Sequence, residues 1–107
     1  MLAQPPIDIS AENWQIVSDI LNRIVPGREV WAFGSRANWT AKEFSDLDIA
    51  IVSDEPLSMA LMADVREAFQ ESSLPFKIDI VDWAAITPSF REIVEKAKVV
   101  LQPADSL

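Results

Sequence analysis

The run Asp46-Leu47-Asp48-Ile49-Ala50-Ile51-Val52 constrains this chain more than any other stretch. Its β-branched and apolar residues call for a strand, and side chains on a strand alternate between faces. Asp46 and Asp48 therefore point one way, while Leu47, Ile49 and Ile51 enter the opposite layer. Two carboxylates side by side in an apolar strand repel each other and lose hydration, an arrangement that asks for a positive charge between them. A hard divalent cation with oxygen ligands answers that need.

A second acid-bearing strand reinforces the point. Phe76-Lys77-Ile78-Asp79-Ile80-Val81-Asp82 reads as a strand with Asp79 flanked by strand formers. Asp46, Asp48 and Asp79 on two strands can hold two Mg²⁺ ions, a pair that activates an attacking hydroxyl and clamps a leaving oxygen. Asp82, three residues on from Asp79, falls on the other face and reads as a strand-end or capping acid.

Upstream of the first pair of acids, Glu29-Val30-Trp31-Ala32-Phe33 is a short buried strand that ends at Gly34-Ser35. A glycine after a strand lets the backbone approach a phosphate closely. The turn that follows offers N–H groups at a helix start, which suits an anion. The Ser35 hydroxyl can donate to a phosphate oxygen, and Arg36 and Lys42 are cations that can steady a triphosphate tail. Acids and turn together suit in-line displacement at an α-phosphorus with pyrophosphate leaving, a reaction run by positioning and charge neutralisation.

The rest of the chain frames these pieces. Ser10 caps a helix whose apolar face is Trp14, Val17, Ile20, Leu21 and Ile24, running to about Val25 before Pro26-Gly27 stops it. Residues 36–44 read as a helical turn and a loop. A helix runs from Ser58 to about Glu71, with Met59, Leu61, Met62, Val65 and Phe69 on its buried side. Pro88 opens a helix from about Ser89 to Lys96, and Lys98-Val99-Val100-Leu101 reads as a short edge strand. Residues 1–9, with Pro5 and Pro6, form an extended lead-in. Helices and strands alternate, which predicts an α/β (α+β) chain with a small sheet packed by helices. Trp14, Trp31 and Phe33 belong to its core, and Trp39 and Trp83 to core or rim packing.

Composition narrows the chemistry. The 107 residues contain neither Cys nor His nor Tyr, so catalysis falls to carboxylates, Ser/Thr, Lys/Arg and metal. The net charge of −8 leaves no basic stripe for nucleic acid, so general nucleic-acid binding is not expected. No apolar run is long enough for a membrane and no signal peptide opens the chain, so a cytoplasmic protein is expected. The length fits one domain over 1–107 with its core at about 10–102, too small for a large acceptor cavity without a partner.

Gly34-Ser35-Arg36-Ala37 with Ser45-Asp46-Leu47-Asp48 ten residues on resembles the signature of the minimal nucleotidyltransferases of the DNA polymerase β superfamily. Val30–Phe33 and Leu74–Trp83 resemble the same family, and the likeness covers about residues 10–102. It implies a polymerase-β-like nucleotidyltransferase fold. It also implies that Gly34 and Ser35 bind phosphate, that Asp46 and Asp48 bind metal, and that Asp79 is the third acid, which helps activate the acceptor hydroxyl. Small members paired with a HEPN-domain toxin act as antitoxins by adenylylating a toxin tyrosine, so the resemblance implies ATP as substrate, Mg²⁺ as cofactor and a HEPN partner that can join it in an oligomer. The chain departs from the family at Asn38-Trp39, where Arg-Gly is frequent, and at Lys42, where Arg is. Two other roles fit the same residues: a domain that neutralises its partner by binding alone, and nucleotidyl transfer to a small molecule or RNA end.

Overall fold

A computed structural model describes residues 4–105; residues 1–3 and 106–107, the two ends of the expected 1–107 unit, lie outside the described residues. Helix α1 (Ala11–Ile24) is followed by strands β1 (Glu29–Phe33) and β2 (Leu47–Val52). Helix α2 (Met59–Gln70), strand β3 (Ile78–Asp82), a 3-10 turn (Trp83–Ala85), helix α3 (Pro88–Ala97) and strand β4 (Val99–Gln102) complete the chain. Each helix starts where a hydroxyl can replace a missing backbone acceptor. Ser10 accepts from the Asn13 N–H, Ser58 from Leu61 and Thr87 from Phe90. Each cap contributes about 1 kcal/mol.

The sheet order is β3-β2-β1-β4. β1 runs antiparallel to both β2 and β4, and β2 runs parallel to β3. The parallel pair requires a crossover, and α2 supplies it. The mixed sheet and three helices are the expected α/β (α+β) architecture. Strict alternation of helix and strand, however, stops at residues 35–44, which form one turn and a loop, so β1 returns directly into an antiparallel β2.

The two faces of the sheet differ in chemistry. Val30, Ala32, Leu47, Ile49, Ile51 and Ile80 are buried against α1 and α2, together with Ile7 of the lead-in. Trp31, Phe33 and Ala50 face the other way, toward Val94 of α3. Trp31 meets Trp83 edge to face at 5.0 Å, and Lys98 Nζ sits 4.0 Å over the Trp31 ring. The pattern follows the period-two alternation of β1 and β2, and it leaves Asp48 on the α3 face of the sheet, on the same side as Phe33. Trp14 is half-buried against the larger cluster, as expected. Met59 departs from its expected buried place. It is 91% exposed because the first residue of α2 projects beyond the sheet, and Met62, Val65 and Phe69 carry the burial. No helix among the described residues is long and apolar enough to cross a membrane.

Candidate active site

The candidate acids converge at one end of the central strands. Asp48 of β2 faces Phe33 across the antiparallel register and Asp79 across the parallel one. Asp46 lies just before β2 and is exposed, as is Asp79 at the second position of β3. The Asp48 carboxyl is raised above its ordinary value, first by burial and then by the negative charges of Asp79 and Asp46. Each of these influences favours the protonated acid. Carboxylate oxygens under mutual repulsion are a donor set that fits a hard cation such as Mg²⁺. Among the described residues the acids do not close into a ready-made cage of three ligands.

The turn after β1 stands directly against Asp48. Gly34 has φ +79°, in the region that favours glycine, and a Cβ placed there would collide with Asp48 Oδ2. Glycine is therefore required twice, by backbone conformation and by the approach of the carboxylate. Beyond it the chain winds one helical turn. The Ala37 and Asn38 N–H groups donate to the Gly34 carbonyl at 3.1 and 3.2 Å, and Thr40 N–H returns to the Ser35 carbonyl at 2.9 Å. That last bond closes the turn in the manner of a Schellman cap, whose penultimate residue takes a left-handed conformation. Here that residue is Trp39, at φ 63°. Its indole is 58% exposed and belongs to neither apolar cluster, so the expected core or rim packing is not what the structure shows.

Arg36 is buried, at 5% exposure, although it sits in the turn that follows Gly34. Its Nε donates to the Ser45 carbonyl at 2.9 Å and one terminal nitrogen to the Asp8 carbonyl at 2.8 Å. The other terminal nitrogen reaches the Glu43 carbonyl at 3.1 Å and the Lys42 carbonyl at 3.4 Å. The guanidinium lies 4.0 Å over the Phe76 ring. Arg36 thus binds the lead-in and the 42–45 loop to the turn, with its fork of donors engaged by carbonyls. Lys42 is exposed at the start of a tight turn in which the Ser45 N–H donates to its carbonyl at 3.1 Å.

The structure therefore gathers Gly34, Asp46, Asp48 and Asp79, carries Ser35 on the same turn, and sets Arg36 behind it. Asp82 caps the turn after β3, accepting from the Ala84 N–H at 3.2 Å and the Leu57 N–H at 2.9 Å. Sequence reasoning missed the bracing by Arg36. Its partners lie up to 28 positions away and are carbonyls, which carry no side-chain signature.

Residues 15–106 match the family described as polymerase beta, nucleotidyltransferase. The chain is 49% identical over 96 residues to a probable protein adenylyltransferase MntA of Haemophilus influenzae, spanning 90% of this chain and 84% of that protein. Among solved structures, a toxin–antitoxin with AMP-PNP superposes with a TM-score of 0.71 at 22% identity, covering 86% of this chain and 74% of that one. A tri-AMPylated Shewanella oneidensis HEPN toxin in complex with MNT antitoxin gives a TM-score of 0.64 at 19% identity, with 87% and 71% covered. The two solved structures share the fold.

Proposed function

This chain belongs to the polymerase beta nucleotidyltransferase family, and from that premise we propose that it transfers AMP from ATP to a tyrosine hydroxyl of a HEPN-domain toxin, acting as an antitoxin by adenylylation. The observation that carries this reading is the close approach of Gly34 to Asp48 within a set of mutually repelling acids. The likeness to the H. influenzae adenylyltransferase supports protein as the acceptor. Residues 1–107 act as one minimal domain with its core over 10–102, working in the cytoplasm.

Each residue has a task. Gly34 leaves room for the β- and γ-phosphates beside the acids. Ser35 donates its hydroxyl to a phosphate oxygen, and Lys42, exposed on the adjoining loop, meets the pyrophosphate end. Asp46 and Asp48 offer carboxylate oxygens to Mg²⁺, and Asp79 completes the set. When bound, Mg²⁺ supplies the positive charge that neutralises the phosphates and eases ionisation of the acceptor hydroxyl. Asp79, exposed at the start of an edge strand, orients that hydroxyl and receives its proton. The hydroxyl oxygen bonds to the α-phosphorus while the bond from that phosphorus to the bridging oxygen breaks, and pyrophosphate leaves. Arg36, expected from sequence to touch phosphate, instead holds the turn in shape.

The test is to incubate the chain with ATP, Mg²⁺ and a HEPN-domain protein encoded beside it, and to read the intact masses of both proteins. Whole adenylate increments on the partner, absent with Asp46→Asn/Asp48→Asn, are the expected result. Unchanged masses alongside a tight complex would replace this reading with neutralisation by binding alone.

A further inference from the structure

Helix α3 leaves β3 through the 3-10 turn at one edge of the sheet and delivers the chain to β4 at the other, so it crosses β2 and β1. It crosses on the face that carries Phe33 and Asp48, with its first turn toward the β2 side. Phe90 belongs to that first turn and meets Phe33 edge to face, the ring centroids 5.9 Å apart. Phe33 immediately precedes Gly34 and pairs with Asp48 across the register. A single ring thus separates Phe90 from the Gly34 turn and from Asp48. Yet Phe90 is 38% exposed, and Ile93, one turn on, is exposed as well. The first turn of α3 holds no acid, in a chain of net charge −8, so nothing there repels an anionic ligand. Among the described residues, the other exposed aromatic rings, Trp39 and Phe44, pair with no second ring.

From these observations we infer that Phe90 is the seat of the nucleoside base, its exposed side stacking a purine ring while the triphosphate lies along Gly34 and the acids. This rests on the nucleotidyltransferase reading and adds to it the residue that holds the base. Only the ribose separates a nucleotide's base from its α-phosphorus, so a ring beside the strand of Asp48 is within reach of a base whose α-phosphate lies at the acids. The edge-to-face contact with Phe33 fixes the Phe90 ring, and a ring already held loses little freedom on binding. Stacking on an aromatic side chain tightens the hold on a base on the order of tenfold. The larger face of a purine gains more from it than a pyrimidine does. With the base held, the ribose and α-phosphorus are set against Asp46, Asp48 and Asp79. A small chain without an enclosing second domain thereby orients its nucleotide from both ends, the phosphates at the Gly34 turn and the base at α3.

The experiment measures, by calorimetry, the binding of ATP, CTP and inorganic tripolyphosphate, each with Mg²⁺, to the full chain. The expected result is that ATP binds on the order of tenfold more tightly than tripolyphosphate, with CTP between the two. Phe90→Leu keeps apolar packing on Phe33 but offers no aromatic face, and should bring ATP down to the level of tripolyphosphate. The affinity for tripolyphosphate itself should not change in that variant, which also shows that the phosphate end remains folded. Phe90→Trp should restore the preference for ATP. In NMR spectra of the full chain, ATP should move the ring signals of Phe90 and tripolyphosphate should not. Equal binding of ATP and tripolyphosphate by the wild type, full ATP affinity in Phe90→Leu, or ring shifts confined to Trp39 and Phe44 would overturn the inference and leave the nucleotidyltransferase reading standing. Binding of neither ATP nor tripolyphosphate would remove that reading, and the base seat with it.

Discussion

Gly34 and Asp48 are packed so that any side chain on Gly34 would overlap the Asp48 carboxylate. The turn after β1 and an acid of β2 thus share one space. Gly34→Ala should lower stability by about 1–2 kcal/mol from its left-handed backbone alone, with a further loss as Asp48 is displaced. Transfer of AMP should fall on the order of a hundredfold or more, because a small misplacement of reacting groups has that effect.

Gly27 provides the control. It has φ +75°, and a Cβ there would stand 2.7 Å from Asp105 Oδ2, the end of an exposed side chain that can swing away. Gly27→Ala should cost about 1–2 kcal/mol in urea unfolding and leave the transfer rate unchanged. A loss of rate matching that of Gly34→Ala would show that the Gly34 effect is merely structural.

Asp48→Asn should stabilise the metal-free protein while reducing transfer on the order of a thousandfold, the scale of losing an electrostatic anchor for the transition state. The sign follows from the raised Asp48 carboxyl. The folded chain holds this proton more tightly than the unfolded chain does, so the Asp48 contribution is fully present below about pH 3.8 and is lost as pH rises through the folded value. Denaturant midpoints should therefore diverge in favour of Asp48→Asn as pH increases. A difference independent of pH would contradict the repulsion, and added Mg²⁺ should stabilise the wild type alone.

Trp39 occupies a left-handed position without burial to offset it. Trp39→Gly should raise stability by up to about 1 kcal/mol, because glycine adopts this conformation without penalty. Thermal unfolding in the absence of ligand reads it directly. A lower midpoint would mean that the indole packs more firmly than its 58% exposure indicates.

Arg36→Ala should destabilise by about 3 kcal/mol, since hydrogen bonds from a charged donor contribute roughly 1.5–3 kcal/mol and the carbonyls left behind lose their partner. Arg36→Lys should recover little, because an ammonium cannot reproduce the planar fork that reaches Asp8, Glu43 and Ser45 together. If Arg36 instead contacted phosphate, Arg36→Lys would fold normally and raise the KM for ATP.

Local pattern made much of this legible. The caps at Ser10 and Ser58, the strand Glu29–Phe33 and the paired placement of Asp46 and Asp48 depend on neighbours in the chain, so periodicity and capping chemistry reveal them. That Asp79 faces Asp48 depends on how β3 registers with β2 after a helical crossover, which no local window contains. Residues 36–44 form the helical turn and loop that their mixed polar sequence suggests, whereas the way Arg36 ties that segment down through carbonyls leaves no local trace. Trp39 violates the local preference for glycine, so its conformation could be read only from the backbone.

β1 has two neighbours, and they arrive at very different times. β2 follows within about twenty residues, whereas β4, which pairs with Val30–Ala32, begins only at Val99. Gln102 then fastens that strand to the carbonyls of Val25 and Arg28, 77 and 74 positions back. During synthesis, the strand that leads into Gly34 therefore waits with one side bare until Val99–Gln102 has left the ribosome. Such distant pairing is slow to form, and a nascent chain keeps β1 half-paired until β4 joins the sheet.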